Sequence, residues 1–174
     1  FAVAYVLPEG VHSDAPVPAN GVLVDQRDRE FVPYVTVVQA GTAINFPNED
    51  NIRHQVYSFS TAKQFELPLY EGNPHSPVLF DRPGVVPLGC NIHDWMSAYV
   101  FVAETPWFAV TDATGTAQLD ALPPGTYRVA VWHPTLKGEP QTLAQSLTVG
   151  GTDQPRLEFR VEQKRVFKPW RAPN

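Results

Sequence analysis

Cys90, His93 and Met96 fall within the run Cys90-Asn91-Ile92-His93-Asp94-Trp95-Met96, and the chain has no other Cys and no other Met. A thiolate, an imidazole and a thioether so close together form a soft donor set of the kind copper favours. Two His and one Cys with a weak, long axial Met make the blue-copper electron-transfer arrangement. Such a site needs a second imidazole from elsewhere. His54 is the candidate, because it follows the turn-rich stretch 47–53 and opens the alternating run His54-Gln55-Val56-Tyr57-Ser58-Phe59, about three strands ahead of Cys90. The expected metal donors are therefore His54, Cys90, His93 and Met96, holding one copper ion per chain.

Other chemistries are open to the same residues. A lone Cys is most often a buried structural thiol. A nucleophilic Cys–His pair would explain neither Met96 nor His54, and strands offer no helix N-terminus to activate a thiolate. Zinc accepts one Cys and two His but would leave the Met unused. His12 and His75 have no comparable context, and His133, between Trp132 and Pro134, reads as packing or capping. Asp94 and Trp95, lying between two candidate donors, are either supporting partners or simply solvent- and core-facing residues. A four-donor site leaves no open position for a substrate, so no enzymatic activity is expected.

The elements that must hold such a site are short. Hydrophobic residues make up 43% of the 174 and charged residues 18%, a balance that fits a folded chain. Eighteen prolines are scattered rather than clustered, which favours many short strands joined by turns over long helices. A formal net charge of −5 argues against nucleic-acid partners. No apolar run reaches membrane-spanning length. No leader segment is visible and the first residue is Phe, so the sequence is read as a mature or trimmed form. One Cys excludes an internal disulfide.

Strands are expected over 1–8, 31–38, 43–46, 54–59, 78–80, 85–88 and 98–102, with 65–77 a mixed loop broken at Gly72-Asn73-Pro74. The stretch 90–96 then becomes a strand-to-strand connection. Thr105-Pro106 looks like a boundary. Beyond it, strands are expected over 108–111, 117–119, 127–132, 147–149 and 156–161, the last with Leu157, Phe159 and Val161 facing inward. The fold class expected is all-β.

Two resemblances add to this reading. Residues 20–104 resemble a cupredoxin, the plastocyanin and azurin family. The likeness rests on Asn45-Phe46-Pro47-Asn48, a first His, a Pro-Gly turn and Cys-x-x-His-x-x-Met, whose short His93–Met96 gap is similar to amicyanin. The surrounding text also resembles bacterial exported proteins called methylamine-utilisation-like. The resemblance implies a Greek-key β-sandwich, a type 1 copper site and single-electron transfer. It implies that His93 is the solvent-side ligand through which a transient redox partner docks, with Trp95, Pro87 and Leu88 as an apolar contact patch. Many cupredoxins place an Asn directly after the first His to tie the ligand loops together, whereas this chain has Gln55, so its supporting network is expected to differ. The short loop also suggests that His93 protonates and leaves reduced copper in mildly acid solution.

Residues 105–162 resemble the carboxypeptidase regulatory-like module, an Ig-like or transthyretin-like sandwich, on Thr111-Asp112-Ala113-Thr114-Gly115 and Leu122-Pro123-Pro124-Gly125-Thr126-Tyr127. Such modules open with an Ala-Val-x-Val strand. Residues 1–10 have that character and are expected to complete the second domain, leaving 163–174 as a tail. The alternative function is a copper-binding or copper-tolerance protein with no dedicated redox partner, although such a protein is expected to carry Met- or His-rich segments. Oligomeric state is open at this point.

Overall fold

The computed structural model describes residues 1–10, 17, 21–73, 76–150 and 155–165. They divide into two compact units. One is built from the N-terminal residues and from Glu104 onward, the other from the residues between, up to Ala103. Among the described residues the regular structure is β apart from one short 3-10 turn, Pro140–Leu143, and no helix is long and apolar enough to cross a membrane.

In the unit before Glu104, the strands are β2 (Val22–Leu23), β3 (Asp25–Arg27), β4 (Glu30–Val32), β5 (Val35–Gln39), β6 (Thr42–Asn45), β7 (His54–Phe59), β8 (Gln64–Tyr70), β9 (Val78–Phe80), β10 (Gly84–Gly89) and β11 (Ser97–Ala103), following β1 (Val3–Val6) of the other unit. One sheet has the order β5-β11-β10-β7-β8, a second β2-β6-β9, and β3 and β4 form a hairpin. The β5–β11 pairing is parallel, as is β2–β6, and the other ladders are antiparallel. Alternation sends Val38, Val56, Val86, Leu88, Ala98, Val100 and Val102 of the larger sheet, and Ile44 and Phe80 of the smaller, into one buried cluster with Phe46. That shared core makes this unit a β-sandwich. Phe46, Phe65 and Phe80 meet there with ring centroids 5.7–6.4 Å apart. Cys90 and Met96 belong to the same cluster.

Three local expectations are corrected. The run 31–38 is two strands, because Pro33 has no N–H to give to a ladder and interrupts it. The stretch 65–77 is not a mixed loop: β8 pairs with β7 and carries Pro68 at an irregularity in the register between His54 and Val56. Proline is admissible there because β8 is an edge strand. The third correction concerns Leu88. It is 2% exposed and points into the core, so it cannot belong to a surface patch, while Pro87 on the opposite face is exposed.

In the other unit, β1, β12 (Phe108–Val110), β13 (Gly125–Trp132) and β14 (Gln145–Val149) form a sheet of order β12-β1-β13-β14. Val6, Tyr127 and Val129 are buried under Trp107, Leu119, Leu122, Leu147, Val149, Leu157 and Phe159. Tyr127 donates its hydroxyl hydrogen to Pro123 O at 2.7 Å, and Thr105 Oγ1 donates to Val6 O at 2.9 Å. Neither 117–119 nor 156–161 is a strand. Residues 157–161 keep the expected in–out alternation, with Leu157 and Phe159 partly buried, but they join no ladder. The segment is held instead by bonds such as Gln145 Nε2 to Glu158 O (2.7 Å) and Lys137 N to Glu162 O (2.8 Å). The tail expected over 163–174 is described only through residue 165.

Candidate metal centre

β10 delivers Cys90 and β11 begins at Ser97, so the stretch 90–96 closes between the last antiparallel pair, Gly89 and Ser97. The turn is tightened by the Met96 amide, which donates to His93 O at 2.9 Å. β7 begins at His54, beside β10 in the same sheet. Three donor atoms thereby converge. Cys90 Sγ lies 3.9 Å from His54 Nδ1 and 3.9 Å from His93 Nδ1. The donor atoms of these residues all fall within 4.8 Å of one another, and they form the one such cluster found among the described residues. The imidazole centroids are 5.0 Å apart at 60°. His54 is fully buried and Cys90 is 4% exposed, whereas His93 is partly open to solvent.

Met96 is 1% exposed and packs in the core beside Cys90. A recess of about 260 Å³ is bordered by Cys90, Met96 and Tyr57 but by neither imidazole, so it touches the donor cluster only on its Cys90 side. Trp95 is partly buried, its ring 5.1 Å from that of His93, and Ile92, at 50%, is the exposed aliphatic residue of the turn. Burial first, and then the neighbouring His54 and Arg29, hold the His93 imidazole below its ordinary pKa, with Asp50 opposing. His133 stands elsewhere: it stacks on Phe1 at 5.3 Å and accepts from the Thr135 amide at 3.1 Å. His12 and His75 lie outside the described residues.

Sequence reasoning missed the groups that support His54. His54 Nε2 lies 2.7 Å from Asp50 Oδ2. Asp50 also accepts from the amides of Asp28 (2.7 Å) and Arg29 (2.9 Å) at the tip of the β3–β4 hairpin. Burial opposes the charge on Asp50, but the Arg29 amide, the His54 ring and the Asp28 amide together hold its carboxyl below the ordinary value. An ionised carboxylate can only accept, so the His54 proton in this contact sits on Nε2, and Nδ1 is the nitrogen that faces Cys90. Asn48 fixes the loop beneath, donating through Nδ2 to Ile52 O (2.9 Å) and Tyr70 O (2.8 Å) and accepting from the Asp50 amide (3.0 Å). The signal available in the sequence was an acidic residue four positions before His54, inside a loop already read as turn. Gln55 does not face the ligand turn. It donates to Glu66 Oε1 of β8 at 2.6 Å.

The donor set fits copper: one soft sulfur and two imidazole nitrogens, held on two backbone anchors, β7 and the β10–β11 turn, with the buried imidazole oriented by a carboxylate. No family model matches the sequence, and no curated protein matches it. Solved structures similar to the chain include a Cu-containing nitrite reductase from Thermus scotoductus, at 24% identity and TM-score 0.47, covering 55% of this chain; the chain spans a quarter of that enzyme's length. A purple cupredoxin from Nitrosopumilus maritimus is similar at 19% identity and TM-score 0.42, covering 47% of this chain and 99% of its own. Amicyanin from Paracoccus versutus is similar at 19% identity and TM-score 0.42, covering 57% of this chain and 97% of its own.

Proposed function

We propose that this protein is a type 1 copper protein of the cupredoxin kind that carries single electrons, with His54, Cys90 and His93 as the main donors and Met96 as a weak fourth. The observation that carries the reading is the convergence of one thiol and two imidazole nitrogens, anchored on β7 and on the β10–β11 turn, within 4.8 Å of one another. Bound copper would supply a one-electron couple between its +1 and +2 states. The protein's part is to keep the donors fixed through both states. Buried His54, held by Asp50, and buried Cys90 supply the rigid side, and partly open His93 supplies the edge nearest solvent. A redox partner would dock over that edge, where Ile92 provides exposed apolar surface. Four protein donors leave no place for a substrate, so the role is carriage rather than catalysis. An exported, periplasmic setting is part of the same proposal.

The test is a visible and EPR titration with Cu(II). An intense thiolate-to-copper band with narrow hyperfine splitting is expected, lost in Cys90→Ala and kept in His133→Ala. Absence of the band from the folded wild-type protein would overturn the assignment.

A further inference from the structure

We propose that Asp50 is a positioning residue of this site: its carboxylate clamps His54 Nε2–H, fixes Nδ1 as the metal-facing nitrogen, and weights the centre toward the more highly charged copper ion. The inference rests on the copper reading above and adds to it the group that sets the balance between the two oxidation states.

Asp50 is held from three sides. Its Oδ1 accepts from the Asp28 amide, and its Oδ2 from both the Arg29 amide and the His54 ring. The two amides come from a hairpin tip whose residues have φ of 54° and 59°, a left-handed pair that points successive N–H groups the same way. The Asp50 backbone is itself fixed by Asn48, whose own amide and carbonyl pair with Gly72. The carboxylate therefore cannot swing away from His54 without breaking bonds that belong to the hairpin. Its 15% side-chain exposure leaves the charge only partly screened. A fixed anion one imidazole away from a metal stabilises the +2 state more than the +1 state, and a ring that donates to a carboxylate is a more basic ligand.

The adjacent carboxylate gives the contrast. Glu49 is 54% exposed and spends its charge on Arg27, so one step along the chain the same chemistry has no access to the site.

The experiment uses the full chain in wild-type, Asp50→Asn, Asp50→Glu and Glu49→Gln forms. Imidazole ¹⁵N NMR of the copper-free wild type reports which His54 nitrogen carries the proton. Nε2–H is expected, and Nδ1–H would overturn the clamp whether or not any variant folds. Competition titrations then give Cu(II) and Cu(I) affinities. In Asp50→Asn the Cu(II) affinity is expected to fall about 10- to 100-fold with Cu(I) affinity little changed. At about 59 mV per tenfold for one electron, the reduction potential rises by roughly 60 to 120 mV. Asp50→Glu is expected to recover part of the shift, and Glu49→Gln to match wild type. A folded Asp50→Asn with wild-type affinities, or a Glu49→Gln shift as large, would sink the proposal. If the wild type binds no copper, the functional reading fails on its own, and the NMR result still decides the clamp.

Discussion

At the residue scale, the candidate donors were legible and the groups packed around them were not. Cys90, His93 and Met96 announce themselves because sulfur and imidazole are rare and were close together. Asp50 is ordinary in composition and gains its meaning only when the β3–β4 hairpin brings two amides against it. Gln55 is a departure that the sequence did make legible. It stands where an Asn would tie the two loops together, a different network is expected there, and its side chain turns to Glu66. Gln55→Ala is accordingly expected to leave the copper absorption unchanged and to cost about 1 kcal/mol in chemical denaturation, the worth of one hydrogen bond. Met96 makes a sharper prediction. Buried at 1% among apolar neighbours, it tolerates Leu at less than about 1.5 kcal/mol, since volume is conserved. Met96→Leu should therefore fold, while loss of a weak thioether donor shifts the spectrum and raises the reduction potential. An unchanged spectrum in the folded variant would remove Met96 from the donor set.

At the scale of elements, strands bounded by clear punctuation were readable: β7, β9, β10 and β11 lie within a residue or two of where alternation placed them. The misses have a common cause. β8 contains Pro68 and the segment 156–161 alternates well, so composition favoured the second over the first. Ladder partners decided otherwise, because β8 has β7 beside it and 156–161 has no strand to join. Ladders depend on distant neighbours that alternation within a segment does not reveal. Gly89 shows how close the site's packing is. It lies opposite Tyr57, and a Cβ built on it would fall 2.8 Å from the phenol ring. Gly89→Ala is expected to destabilise by about 1–3 kcal/mol and to displace Tyr57 from beside Cys90. In a Tyr57→Ala background the same change should cost much less. A double-mutant cycle with a coupling energy near zero would show that the contact does not limit the strand.

At the scale of the whole molecule, one unit is assembled from two separate stretches of the chain: β1 pairs with β12 and β13, which lie more than a hundred residues on. The Val-rich opening hinted at such a strand, but only the ladder gives its register. Each unit also buries a phenol, and this makes their alkaline behaviour predictable together. Burial, followed by the charge of Glu139, pushes Tyr5 up to about 12. Burial also pushes Tyr70 up to about 12, against the bond from Gln26 and with Cys90 adding to the rise. An unfolded tyrosine titrates near 10. Between pH 10 and 12 the unfolded chain therefore loses protons that the folded chain keeps, the unfolded state binds fewer, and stability falls as pH rises. Two pKa units correspond to about 2.7 kcal/mol per tyrosine, and partial solvent access reduces this to roughly 1–2 kcal/mol each. Denaturant midpoints of the copper-free protein should be level from pH 8 to 9.5 and then drop. Tyr70→Phe lowers the starting value, because the phenol donates to Phe46 O at 2.6 Å, yet it should flatten the alkaline slope of the unit that holds His54, Cys90 and His93. Tyr5→Phe should flatten only the other. If both single variants keep the full wild-type slope, the phenols are not what limits either unit at high pH.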